Sequence, residues 1–201
     1  ERLRISRDLH DNVGAQLSYL ITNVEWMLEN PDQLDEEEEK YRLQALTETG
    51  RNAILTLRQT IWAISHTSLS VEDFADRFKQ FALKMLEFNK NIHVNFSESL
   101  ETSNTLSPAV ALNLFRICQE AFNNCLKHAK CTEVNIDFTS SATLTFEFII
   151  ADNGVGFNWD EAQRKGHYGL QNMQARAQET GATLQVSSAL NAGTRLTLSL
   201  K

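Results

Sequence analysis

The chain has 201 residues, 42% of them hydrophobic and 22% charged, which suits one or two soluble domains with their own cores. Its formal net charge of −7 gives a nucleic-acid partner no electrostatic support, although a nucleotide can still occupy a local site. There is no signal peptide and no run of about 18 apolar residues able to span a membrane.

The opening "ERLRISRDLHD" has neither Met nor a helix cap, which predicts a piece cut from something longer. The three cysteines, Cys118, Cys125 and Cys131, lack metal-ligand spacing and predict reduced, mostly buried thiols of a cytoplasmic compartment.

Two long helices are predicted first. Over residues 1–30, Leu3, Leu9, Val13, Leu17, Leu20, Val24, Met27 and Leu28 recur at steps that make one helical stripe. Pro31 follows, and the acidic run 35–39 suits the first turn of a second helix, where carboxylates offset the positive end of the dipole. That helix carries Leu43, Leu46, Ile54, Leu57, Ile61 and Ile64 to about His66. Trp26 and Trp62 fall on the stripes and are expected in the core. A lone hairpin leaves half its apolar surface wet, so pairing with a second copy into a four-helix bundle is expected.

A break at 67–70 separates residues 1–66 from a second domain over 70–201. Ser70 with Asp73 resembles a capping box ahead of a helix bearing Phe74, Phe78, Phe81, Met85 and Phe88. "NIHVNFSE" alternates as a strand, and Ser107 and Pro108 predict the N-cap and first position of the next helix. "EVNIDFT" and "LTFEFIIA" predict two strands about a polar turn at 140–142. After the loop "DNGVGF" comes a helix from about Gly169 to Gly181, then a hairpin turning at 191–193. Helices with a mostly antiparallel sheet imply an α+β domain.

Chemistry concentrates in three places. On the helix that starts at Pro108, Glu120, Asn124, Lys127 and His128 share a face, placing an acid, a carboxamide, a cation and an imidazole together. Such a set suits Mg²⁺ and phosphates; by itself it also fits a solvated helix face. In "DNGVGF", Gly154 and Gly156 permit close backbone approach, and Asp152 at the strand's end can hold a polar edge such as an adenine amino group. Gly166 and Gly169 in "GHYGL" precede a helix whose free amides can meet phosphates, although each glycine pair alone also reads as a turn.

In their order, "QEAFNNCLKHAK", "DNGVGF", "GHYGL" and "GTRLTLSL" resemble the N, G1 and G2 boxes and final strand of the GHKL ATPase superfamily. "ERLRISRDLHDNVGAQLS" looks like the phosphoacceptor helix of sensor histidine kinases, in the subfamily that includes nitrate sensors and a bacillar thermosensor. The resemblance spans essentially the whole chain. It implies a dimeric phosphotransfer hairpin over 1–66, an α/β-sandwich ATP-binding domain over 70–201, ATP and Mg²⁺ as ligands, and a response regulator as partner.

It also assigns roles. His10 would be the phosphoacceptor and Asp11 the acid that assists it, although neighbouring helix positions diverge by about 100°, so Asp11 is not expected simply to orient the ring. Arg4 and Arg7 would steer phosphate or merely solubilise. Asn124 would bind Mg²⁺ with support from Glu120. Lys127 and His128 would face phosphates or ribose, and Asp152 would read the adenine amino group in a pocket shaped by Gly154 and Gly156. Gly166 and Gly169 would belong to the lid, and the segment 158–165 would be a short ATP lid, where Trp159 would pack or cover the nucleotide. Thr194 would reach adenine through water. His66, His93 and His167 match no catalytic position. In much of this subfamily a Gln lies four residues after the acid; here that position is Ala15, with Gln16 one step out of phase.

Overall fold

A computed structural model describes residues 2–30, 33–87, 89–101, 103–158 and 168–201, with no account of the side chains of residues 2–5, 8 and 168. Pro31, Phe88, Trp159, Gly166 and His167 therefore lie outside the described residues. The chain divides into two compact units, Glu1–Thr67 and Ser68–Lys201.

The first unit is a pair of helices, α1 (Arg2–Glu29) and α2 (Glu36–Ile64). Asp35 caps α2, its carboxylate accepting the Glu38 N–H at 2.8 Å, and the four glutamates behind it occupy the first turn. Val13, Leu46 and Ala53 are buried. Trp26 and Trp62, expected in the core, are only half-buried. Trp26 instead stacks beneath the Arg42 guanidinium of α2, 4.4 Å from the ring centroid, while Arg42 also pairs with Glu38 at 2.9 Å. Leu17, Val24 and Leu28 of α1, and Leu43, Ile54 and Ile61 of α2, remain exposed.

The second unit is α+β. Its helices are α3 (Val71–Leu86), α4 (Pro108–His128) and α5 (Tyr168–Thr180). Its strands are β1 (Leu69–Ser70), β2 (His93–Ser99), β3 (Thr105–Leu106), β4 (Glu133–Ser141), β5 (Leu144–Asp152), β6 (Thr183–Ser188) and β7 (Thr194–Leu200). The short β1 and β3 pair with each other, and the main sheet runs β2-β4-β5-β7-β6. Only the β2–β4 pairing is parallel; the other three are antiparallel.

Local chemistry accounts for the helix starts. The Ser70 hydroxyl accepts the Asp73 N–H and donates to the Asp73 carboxylate, so Ser70 caps the helix, but the acid takes the hydroxyl proton rather than the backbone N–H of a full capping box. Ser107 caps α4, with Pro108 at the first turn. The turn between β4 and β5 is shorter than the polar residues suggest. Pairing persists to Ser141 opposite Leu144, leaving only Ala142 and Thr143 in the turn. Ser140 is buried within the strand because its hydroxyl accepts the Glu101 N–H at 2.7 Å, which satisfies it without solvent.

The core is a phenylalanine cluster between helices and sheet. Phe78 of α3 is fully buried and meets Phe115, Phe122, Phe138 and Phe148 edge-on at 5.3–6.2 Å. Phe74 does the same with Phe115, Phe138 and Phe146. This cluster anchors α4 against the sheet. Phe78→Ala is expected to lower unfolding stability by about 3–5 kcal/mol, read by urea denaturation followed through near-ultraviolet circular dichroism; a loss below 1 kcal/mol would remove Phe78 as the keystone.

Candidate functional site

A cavity of about 420 Å³ opens between α4, α5 and the C-terminal end of β5. Its α4 wall is formed by Glu120, Ala121, Asn124, Cys125, His128 and Ala129. Apolar residues of the sheet (Ile150, Val186 and Leu196) and of α5 (Leu170 and Met173) line much of the rest. Asp152 and Thr194 are polar groups within this apolar lining. A cavity of this kind suits a flat apolar ring with a polar edge.

Helix phase decides which α4 residues reach it. Taking Glu120 as origin, Asn124 lies about 40° and His128 about 80° around the helix, while Lys127 lies about 20° in the opposite sense. The cavity wall includes the first three and not Lys127, which is exposed. Sharing a helix face with Glu120 is therefore not enough to bring Lys127 into the cavity.

The glycine loop after β5 is held by backbone on two sides. The Val155 N–H donates to the Ala129 carbonyl at 2.8 Å, the Gly193 N–H to the Gly154 carbonyl at 3.0 Å, and the Asn191 N–H to the Val155 carbonyl at 2.6 Å. A Cβ on Gly154 would sit 2.1 Å from the Ala129 oxygen, and one on Gly156 would sit 2.0 Å from the Ala189 oxygen. Gly156 also has φ +59, a left-handed conformation that glycine adopts without penalty. Gly156 lines the cavity, whereas Gly154 serves to let the loop approach α4.

Asp152 is oriented by two contacts. One carboxylate oxygen accepts the Gly154 N–H at 2.8 Å, and the other accepts the Cys125 thiol at 3.6 Å. Across the cavity, Gly169 stands so close to Glu120 that a Cβ there would meet the carboxylate oxygen at 2.3 Å. Glu120 and Asn124 give two oxygen donors one helical turn apart, which fits a cation that retains water and phosphate ligands. Among the described residues no group of three or more His, Cys, Asp or Glu is arranged to hold a metal ion, so an all-protein cage is not what this wall offers.

Several contributors escaped the sequence reading. Cys125, expected only as a buried thiol, is buried and also lines the cavity. Ser188 accepts the Phe157 N–H, donates to the Gly193 carbonyl and lies 3.0 Å from the Thr194 hydroxyl, so it ties the loop to β7. The Asn153 carboxamide accepts the N–H groups of Thr132 and Glu133, joining the loop to the start of β4. Gly193, read only as a turn, has φ +72, and a Cβ there would sit 2.0 Å from the Asp152 carbonyl oxygen. Its position directly before Thr194 was the available signal.

In the first unit His10 and Asp11 are both exposed, with the His10 Nδ1 3.5 Å from an Asp11 carboxylate oxygen. The two side chains thus come within ion-pair range, although adjacent helix positions diverge. Arg7 and Ala15 are exposed, and Gln16 is half-buried with its carboxamide oxygen unpartnered.

Residues 1–69 match a family described as histidine kinase, and residues 109–201 match the histidine kinase-, DNA gyrase B- and HSP90-like ATPases. The sensor protein VraS of Staphylococcus saprophyticus is 31% identical over 98% of the chain, and that of Staphylococcus aureus is 30% identical over the same share. The chain belongs to the sensor histidine kinases of two-component systems.

It spans 54% of the length of those VraS relatives. Two solved structures share the kinase fold. The histidine kinase domain of the Erythrobacter litoralis blue-light activated kinase has TM-score 0.55 at 15% identity, covering 96% of this chain and 94% of its own. Histidine kinase AdeS of Acinetobacter baumannii has TM-score 0.59 at 11% identity, covering 96% of this chain and 97% of its own. The histidine kinase match at 1–69 takes in His10 and Asp11, and the ATPase match takes in every residue that lines the cavity. That second match supports ATP use by this kinase chain. Among the described residues no helix is long and apolar enough to cross a membrane.

The glycines separate fold from site. Gly193→Ala meets backbone at a positive φ, so it is expected to destabilise the second unit by more than 1 kcal/mol in thermal or urea unfolding. Gly169→Ala meets only the far end of Glu120, so its unfolding is expected to stay within about 0.5 kcal/mol of the wild type while nucleotide-dependent activity falls at least tenfold. Unchanged activity in Gly169→Ala would show that the Glu120 carboxylate position is immaterial.

Proposed function

We propose that this chain autophosphorylates His10 from ATP and passes the phosphoryl group to an aspartate of a response regulator. The observation that carries the reading is the cavity that unites Asp152, Asn124 and Glu120 in a chain that also presents an exposed His10–Asp11 pair.

Asp152 accepts from the adenine amino group, and the apolar floor takes the ring faces. Thr194 reaches the base through water, while His128 faces ribose or phosphate. Asn124 would hold Mg²⁺ with Glu120 beside it, and a bound ion would neutralise phosphate charge. Asp11, with its carboxylate 3.5 Å from Nδ1, is the group placed to take the Nδ1 proton, and Nε2 is the nitrogen left for attack. Nε2 attacks the γ-phosphorus in line; the N–P bond forms, the bond from phosphorus to the β–γ bridging oxygen breaks, and ADP leaves. Asp11 accepts the Nδ1 proton as the ring acquires positive charge. Transfer then breaks the N–P bond and forms an acyl phosphate on the regulator, while Nδ1 takes its proton back from Asp11 so that neutral imidazole leaves. The protein acts chiefly by positioning.

The exposed apolar residues of α1 and α2 support a homodimer in which two hairpins form a four-helix bundle. Residues 1–66 then serve dimerisation and phosphotransfer, and residues 70–201 serve ATP binding, as the cytoplasmic part of a longer sensor. Light scattering at micromolar concentration is expected to give a dimer; a monomeric full chain would count against the bundle.

Incubation with γ-labelled ATP is expected to yield an acid-labile, base-stable label. His10→Gln is expected to abolish it with folding and ATP binding retained, and label mapped to another residue would refute the assignment. Asn124→Ala is expected to weaken Mg·ATP binding in calorimetry and to abolish labelling; unchanged affinity would remove it as a ligand.

The reverse reaction tests Ala15 and Gln16. Exposed Ala15 has no group to bind water, and the half-buried Gln16 lies about 100° away on the helix. We expect a competent kinase but a weak phosphatase toward its phosphorylated regulator. Rapid dephosphorylation that disappears in Gln16→Ala would refute this.

A further inference from the structure

Cys125 is 5% exposed, lies on the cavity wall and touches the side chain proposed to read the base. Its thiol donates to one oxygen of Asp152 at 3.6 Å, while the Gly154 N–H donates to the other at 2.8 Å. The last torsion of an aspartate is broad and two-fold, so a single contact leaves the carboxylate plane free to turn. Donors at both oxygens fix that plane. An ionised carboxylate has about four acceptor sites, so two remain for a ligand.

Cys125 is itself constrained. It sits in α4, and its carbonyl accepts the thiol of Cys131 at 3.7 Å. Burial first, and the nearby Asp152 charge next, push the Cys125 thiol well above its ordinary range. The S–H is thus retained at physiological pH as a donor, and the group is not a thiolate nucleophile.

We propose that Cys125 is a positioning residue for base recognition: its thiol holds the Asp152 carboxylate in the plane that accepts the amino group of a 6-aminopurine nucleotide. This rests on the reading of the cavity as an ATP site in which Asp152 meets that amino group. A purine without the group offers the carboxylate nothing, so the thiol affects the amino-bearing nucleotide alone. The thiol's hydrogen bond goes to Asp152 and not to Asn124 or Glu120, so its loss is expected to act on nucleotide binding rather than on turnover of bound nucleotide.

The test is calorimetry on the full chain with ATP and with purine riboside triphosphate, the same nucleotide lacking the 6-amino group. The wild type is expected to favour ATP. Cys125→Ala is expected to reduce that preference about three- to tenfold, through weaker ATP binding alone. In autophosphorylation this raises KM for ATP and leaves kcat unchanged. Cys125→Ser, which keeps a hydroxyl donor, is expected to restore most of the preference; Cys125→Val replaces the Ala variant if that fails to fold.

Equal weakening of both nucleotides would make Cys125 a packing residue and overturn the proposal. A wild-type preference that survives intact in the donorless variant would also overturn it, leaving the Asp152 reading untouched. Equal binding of the two nucleotides by the wild type would overturn the Asp152 reading itself, and this inference with it.

Discussion

The cavity exists because three backbone segments come closer together than side chains would allow. The loop after β5 hydrogen-bonds to the end of α4 through Ala129 and to the β6–β7 turn through Gly193. Ala129, Ala189 and Asp152 carbonyl oxygens occupy the space where Cβ atoms of residues 154, 156 and 193 would project. These contacts set the end of β5, and with it Asp152, against the face of α4 that carries Glu120 and Asn124. Ser188 and Asn153 supply side-chain bonds that fasten the same loop to its neighbours. Backbone hydrogen bonds fix this side of the pocket, the kind of preorganisation that the proposed phosphoryl transfer by positioning requires.

Helix α4 serves two roles at once. Its buried side carries Leu114, Phe115, Ile117, Cys118 and Phe122 into the aromatic core, and its last two turns present the polar wall of the cavity. Packing of Phe78 and Phe74 against that helix therefore bears on function without any contact with ligand. Small displacements of a packed helix move every residue on its polar face together. Cys125, at the boundary between the two sides, is where core packing and carboxylate orientation meet.

The helical hairpin follows a different logic. Its apolar residues exceed what two helices can cover, and Leu17, Val24, Leu28, Leu43, Ile54 and Ile61 remain exposed on the single chain. Exposed apolar surface on this scale marks an interaction face. His10 and Asp11 by contrast stand open to solvent, as the proposed phosphoacceptor must if it is to meet both a nucleotide and a second protein.

Much of this protein was legible in its residues alone, because local signals are strong where they act locally. Ser70, Ser107 and Asp35 announced helix starts, alternation announced β4 and β5, and the order of the polar motifs announced the family. The family, α+β architecture and histidine kinase character followed from that order. Tertiary structure decided what no local pattern carries. Helix phase relative to the cavity excluded Lys127 from the wall, and side-chain reach brought Asp11 to His10 despite adjacent positions. A long-range bond to residue 101 drew Ser140 out of its expected turn, and Arg42 of the other helix covered Trp26 at the hairpin's surface. Gly193, Ser188 and Cys125 acquire meaning only through partners 5 to 41 positions away, Asp152 being the partner of two of them. Spacing in sequence encodes periodicity within one element; which face meets which neighbour is set when the elements pack.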